Sequence, residues 1–158
     1  MSGTLSSARS FVLKASDALS WVPLTLARLC LGFVFVQSGW GKLHNLPKVI
    51  DYFASLGVPA PGFQAPFVAT VELVGGALLL LGLLTRVASV PLAATMVVAL
   101  ITAKRDDIHG LADLFGTSEF LYFLVLGLLA AFGSGALSLD RALARRLAPV
   151  RGADSPGA

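Results

Sequence analysis

Apolar residues along this chain gather into four long blocks separated by short polar breaks, at 22–41, 65–84, 87–103 and 119–137. No period-two alternation runs through them, so soluble strands are not a serious rival. A hydrocarbon core about 30 Å thick takes roughly 20 helical residues to cross, and a bilayer admits only helices or closed barrels. Each block therefore predicts a membrane-spanning helix. The first block carries its own ruler: Trp21 and Trp40 lie 19 residues apart, which at the helical rise is about 28 Å, the separation of two interfacial aromatic belts. Pro23 and Pro66 fall in the first turns of their blocks, and Pro91 in the first turn or so of the third, where a missing N–H costs little.

The breaks carry structure of their own. In the first outer loop, Lys42–Gln64, the residues Leu46, Val49, Ile50, Phe53 and Leu56 share one helical face, opened by Pro47 and closed by Gly57 and Pro59. Such a helix lies flat at the membrane surface or covers the bundle. The second outer loop, Lys104–Ser118, is polar and charged. Residues 1–21 form an interfacial lead-in in which Phe11, Val12, Ala15, Ala18 and Leu19 are the apolar positions. Arg9, Lys14 and the run 22–36 imitate a secretory leader, but Arg28 interrupts the run and no small-residue cleavage site precedes Lys42, so the first span is read as retained. At the other end, residues 138–158 comprise a basic amphipathic segment, Leu139–Leu147, suited to the anionic inner leaflet, and a loose tail from Arg151.

Composition turns this pattern into an exclusion. Apolar residues make up 56% of the 158, charged residues 13%, and the mean hydropathy is +0.81. A water-facing domain needs about 25% charged residues, which excludes a soluble enzyme, a disordered tail and a DNA-binding domain. The net charge of +3 is no nucleic-acid signal, because the basic residues flank the apolar blocks. With four spans, Arg9, Lys14, Arg86, Arg141, Arg145, Arg146 and Arg151 share one side, and Lys42, Lys48, Lys104 and Arg105 the other. The more basic side stays in the cytoplasm. The predicted fold class is all-α: a polytopic membrane four-helix bundle of the bacterial cytoplasmic (inner) membrane, with both termini cytoplasmic.

Candidate chemistry lies with the polar groups inside the membrane. On the first helix Arg28, Gly32, Phe35, Gly39 and Lys42 recur at spacings of 4, 3, 4 and 3 and share one face. On the second, Glu72 precedes Gly75 and Gly76 by about one turn, and a carboxylate beside small residues points at protein rather than lipid. An ionised group at mid-bilayer costs at least about 2.5–3.5 kcal/mol, so it has a partner or a function. Height along the helices does not choose between Arg28 and Lys42 as the partner of Glu72. The reading favours Arg28, because Lys42 at the interface reaches water unaided. Gln37 matches Glu72 in depth but lies on the opposite side of its helix from Arg28. The bland reading is a pair that only fixes helix register. Cys30, the single cysteine, is assigned to packing, and Tyr122, beside Glu119 at the start of the fourth helix, to the aromatic belt. His44 and His109 stand alone in loops, no histidine lies in a span to ligate haem, and no metal site is expected.

The ordered set Arg28-x₃-Gly32, Gly39-x₂-Lys42, Leu56-Gly57-Val58-Pro59, Val71-Glu72-Leu73-x-Gly75-Gly76 and Leu81-Gly82-Leu83-Leu84-Thr85-Arg86, closed by Gly133-Ser134-Gly135-Ala136-Leu137-Ser138-Leu139-Asp140, resembles the DoxX family of small bacterial membrane proteins over about residues 24–145. The resemblance implies a four-helix integral membrane protein. Some members form the small membrane subunit of a thiosulfate:quinone oxidoreductase, and others associate with redox or oxidative-stress complexes; the family has no agreed catalytic residues. Arg28, Lys42, Glu72 and Arg86 match its recurrent polar positions. Gly32, Gly39, Gly75, Gly76 and Gly82 are read from the residues themselves as helix-packing glycines.

The expected function is thus an integral membrane subunit of a quinone-linked redox or oxidative-stress complex, anchoring other subunits and contributing to a quinol-access surface. Catalysis belongs to that complex rather than to this chain alone. No cofactor is expected to be covalently bound, with quinone as the candidate ligand. The expected partners are the lipid bilayer and other protein subunits, with oligomerisation open and nucleic acid excluded. A non-catalytic scaffold or assembly protein is the alternative. A small-solute transporter is weaker, since four helices with one buried acid and no inverted repeat offer little machinery.

Overall fold

Helices make up almost all of the computed structural model, which describes residues 21–133 and 138–139. In chain order they are α1 (Trp21–His44), α2 (Leu46–Ser55), α3 (Pro61–Leu81), α4 (Thr85–Thr102), a 3₁₀ turn (Arg105–Asp107), α5 (Leu111–Gly116) and α6 (Ser118–Phe132). α1, α3 and α4 are long and apolar enough to cross a membrane, whereas α6 is apolar but has 15 residues, about 22 Å of rise. The lead-in at Phe11–Leu19, positions 134–137 of the fourth expected span, and all of the basic segment beyond Leu139 lie outside the described residues.

Hydropathy places the spans but misses where helices begin. α3 starts at Pro61 rather than at residue 65, because a proline in the first turn opens it above the apolar block. Pro66 therefore lies inside α3, and Pro91 inside α4, which starts at Thr85. Neither sits in a first turn as expected, so each removes one backbone hydrogen bond from its helix. α3 ends where Gly82 adopts φ +67. Its N–H donates to the Leu79 carbonyl and that of Leu83 to the Leu78 carbonyl, a Schellman closure that favours glycine. Leu84, also left-handed at φ 48, then starts α4, so α3 and α4 form a tight hairpin. The second outer loop is less irregular than its polarity suggests. It holds the 3₁₀ turn and α5, and the Asp113 carboxylate accepts from the His109 N–H at 3.0 Å.

Packing differs from pair to pair. The most extensive interface joins α1 to α3, the next joins α4 to α6, and the α3–α4 contact is thinner. Leu31 and Phe35 from α1, Leu79 from α3, Leu92 and Met96 from α4, and Leu126 and Leu129 from α6 meet in the shared core. Across the top, α2 lies against α3. Its apolar positions Leu46, Val49, Ile50 and Phe53, with Leu56 just beyond, are half-buried, while the rest of the helix is exposed, as its amphipathic pattern requires.

A buried ion pair under an amphipathic roof

The α1–α3 seam is built from backbone. Side chains added at Gly32, Gly39 and Gly76 would strike the opposite helix itself: a Cβ at Gly39 would lie 2.5 Å from the Leu73 nitrogen and 2.6 Å from the Ala69 carbonyl oxygen. One at Gly32 would meet Leu80 and Gly76, and one at Gly76 would meet Gly32 and Val36. Thus Gly32 faces Gly76, and Gly39 faces Ala69, in an antiparallel register with small residues on both sides. Gly75 faces the other way, where its Cβ would meet the Leu92 side chain of α4 at 2.9 Å. Gly82 caps α3 rather than lining the seam, although its open space admits the Arg28 guanidinium.

That register sets the charged residues. Lys42 Nζ donates to both Glu72 carboxylate oxygens, each 2.5 Å away, and Ser38 Oγ donates to Glu72 Oε2 at 2.8 Å. The Glu72 side chain is 3% exposed and that of Lys42 28%. Glu72 therefore pairs with Lys42, not with the favoured Arg28. The cause is the tilt of every helical Cα–Cβ bond toward its own N-terminus. In antiparallel helices Lys42 leans down α1 and Glu72 leans up α3, so the two approach. Arg28 leans down α1 just as Lys42 does, which from its lower position carries it away from Glu72, and it is buried beside Gly82, ten residues and about 15 Å along α3 from Glu72. Arg86 is separate again, exposed in the first turn of α4, where it packs over Gly133. The four polar positions thus do not form one cluster. Gln37 is exposed. Ser38 was not anticipated; its signal was its place one turn before Lys42 on the same face.

Beside the ion pair lies a cavity of about 460 Å³. Tyr52, Phe53 and Leu56 of the α2 segment roof it, Phe67, Val68 and Val71 of α3 and Ala94, Thr95, Val98 and Ala99 of α4 form its walls, and Lys42, Glu72, Gln64 and Glu119 supply polar groups. A largely apolar enclosure of this size with a few converging polar groups is the usual form of a small-molecule site. Glu119 is placed by the start of α6, where Thr117 Oγ1 caps the helix by accepting from the Phe120 N–H at 3.4 Å. A carboxylate in that first turn also complements the helix dipole.

Several other candidates fall elsewhere. Tyr122 packs edge-on against Phe35, ring centroids 6.2 Å apart, and is half-buried against the core rather than standing in an interfacial belt. Cys30 is exposed on the outside of the bundle rather than packed within it. His44 lies against Trp40 with ring centroids 4.3 Å apart and planes tilted by 41°, and its Nδ1 is 3.0 Å from the Trp40 carbonyl oxygen. Among the described residues no three His, Cys, Asp or Glu side chains group in a way that could hold a metal.

Fold and site together define a helical membrane protein with an ion pair bridging two apolar helices. The chain belongs to the DoxX family, whose model matches residues 23–105, from α1 through α4 to the first residue of the 3₁₀ turn. It is 38% identical over 117 residues to "Putative oxidoreductase CatD" of Bacillus subtilis, covering 73% of this chain and 82% of that protein. It is 30% identical over 125 residues to "Inner membrane protein YqjF" of Escherichia coli, covering 79% and 95%. No solved structure matches it significantly.

Proposed function

We propose that this chain is the membrane subunit of a quinone-linked redox complex in the bacterial inner membrane. It crosses the bilayer four times with both termini cytoplasmic, and its ligand site is the cavity beneath α2. The observation that carries the reading is the ion pair opening on that cavity, 460 Å³ of mainly apolar space with Lys42 and Glu72 in its wall. A quinone is a flat apolar ring with two carbonyl oxygens, and the cavity offers apolar walls with donors and acceptors at one side. When bound, a quinone takes up two electrons and two protons to become a quinol. The electrons come from a redox centre on a partner subunit. In this chain the Lys42 ammonium orients a ring oxygen by donating to it, and the Glu72 and Glu119 carboxylates are placed to carry protons between the ring and the outer surface. The oxidoreductase name of the Bacillus relative and the inner-membrane name of the Escherichia relative agree with this reading.

The test uses the complex purified with its native partners. Glu72→Gln is expected to leave the complex assembled and to lower its quinone reduction about a hundredfold, the usual scale for loss of a proton-transferring group. Full activity in Glu72→Gln, with Glu72→Leu merely destabilising, would make the chain a scaffold. Orientation is read separately: cysteines at Ser6 and Ser155 should be labelled from the cytoplasm, and those at Ser55 and Thr117 from outside.

A further inference from the structure

A second void adjoins the first. Between α3 and α4 a groove of about 320 Å³ runs from Phe67 and Thr70 down to Leu78, Leu84 and Val87, and it shares Phe67, Val71 and Pro91 with the cavity beneath α2. Its character is different. Thr70 is its one hydroxyl, and that donates to the Pro66 carbonyl oxygen at 2.8 Å. The groove therefore offers a ligand hydrocarbon contact alone. Gly75 of α3 and Ala88 of α4, both small, lie on its floor. Its rim residues Phe67, Val74, Leu84 and Val87 are all exposed, so it opens sideways onto the bilayer. From Phe67 to Leu78 it follows α3 for about 16 Å.

We infer that the two voids are one site for a prenyl quinone, with the ring in the cavity beside Lys42–Glu72 and the first isoprenoid units of the tail along the α3–α4 groove. This rests on the quinone reading and adds the tail and the route to it. The ligand enters laterally from the membrane past Val74 and Val87, because a tail already dissolved in lipid slides into the groove without meeting water. A phospholipid fits the same path poorly. Its anionic phosphate would be brought beside Glu72, whose carboxylate has already neutralised Lys42, so the site holds no spare positive charge for it. A neutral ring with hydrogen-bonding oxygens suits a site in which Glu119 adds a second carboxylate beside the neutralised Lys42–Glu72 pair.

Two photoreactive quinones separate the readings, one carrying an azide on the ring and one a diazirine on the second isoprene unit. Both are applied to the full-length protein in nanodiscs of phosphatidylethanolamine and phosphatidylglycerol, with labelled residues read by mass spectrometry. The ring probe is expected to label the cavity walls, and the tail probe the groove between residues 70–78 and 84–88. Val74→Trp and Val87→Trp, both at exposed rim positions on the entry route, should lower tail labelling about tenfold and slow ring labelling with it, while thermal stability is unchanged. Ring labelling in the cavity with tail labelling scattered over lipid-facing residues would sink the groove and leave the quinone reading standing. Absence of ring labelling from the cavity would sink both. A phospholipid carrying the same diazirine that labels the groove and is not displaced by unlabelled quinone would make it a bulk-lipid contact and overturn the inference.

Discussion

On its α1 side helix α3 presents Ala65, Ala69, Glu72 and Gly76, all buried; on its α4 side it presents Phe67, Val71, Val74, Gly75 and Leu78. The first face meets backbone and the second meets side chains. Where backbone meets backbone, nothing can give way, so the spacing of α1 and α3 is fixed and the Lys42–Glu72 pair is held at one geometry. Where side chains meet, the neighbour of Gly75 is the Leu92 side chain rather than backbone, and the thinner contact leaves a cavity and a groove. One helix thus carries both a rigid reference and an adaptable wall. The polar residues lie at the edge between the two, charged side chains anchored in the seam and opening on the space next to it.

The sharpest way to break this contrast is to put a side chain in the seam. Gly39→Val forces α1 away from Leu73 and Ala69, and is expected to cost more than the usual 1–3 kcal/mol of overpacking, enough to abolish a cooperative thermal transition in nanodiscs. An unchanged melting temperature would show that the helices do not touch there. Next in size is the ion pair. A double-mutant cycle with Lys42→Met and Glu72→Leu should give a coupling of about 1–3 kcal/mol in thermal stability, since either single change strands a charge. The same cycle with Arg28→Met and Glu72→Leu should stay within about 0.5 kcal/mol of additivity. Coupling in the Arg28 cycle instead would reverse the assignment of partners.

On the adaptable face the same test gives less. Gly75→Ala meets the side chain of Leu92 and no backbone, so a loss of about 1 kcal/mol is expected, well below that of Gly39→Val; equal losses would erase the distinction between the two faces. Smallest of all is the exposed pair of Lys104 and Asp107, 3.2 Å apart. The hydrogen bond that Lys104 Nζ donates to Asp107 and the charge of that carboxylate, with Glu119 adding less, raise the Lys104 pKa above its ordinary 10.5. Any contribution is complete below that value and fades as pH rises through the folded one. Solvent screens such a pair, and Asp107→Asn should leave the melting temperature at neutral pH unchanged within error.

Periodicity shows much of this in the sequence. The five apolar positions of the α2 face are its half-buried ones, and the Gly32–Gly39 spacing marks the side of α1 that meets α3. Lys42 and Glu72 stand out as polar residues among apolar ones. Their pairing is harder to see, because residue counting measures Cα height and ignores the direction of each side chain. The N-terminal tilt of Cβ, available from helical geometry alone, distinguishes Lys42 from Arg28. Helix starts were obscured at Pro66 and Pro91, because apolarity reports lipid contact while Pro61 and Thr85 set the ends. The cavity was not legible at all: it depends on how α2 folds back over α3 and α4, which no single helix encodes. Tyr122 was misplaced for the same reason, since its contact with Phe35 joins α6 to the far end of the chain.

The pairing of residues thirty positions apart also bears on how the protein is made. Synthesis runs from the N-terminus, so α1, with Lys42 near its end, reaches the membrane before Glu72 does. An isolated carboxylate on α3 makes insertion unfavourable by about 2.5–3.5 kcal/mol, but the cation that neutralises it is already waiting. We expect α3 to insert poorly when expressed alone and efficiently behind α1, and Lys42→Met to remove the help, as a glycosylation-site insertion assay would report. Charge order along the chain then becomes part of biogenesis: the basic residue comes first, and the acidic one follows into a place prepared for it.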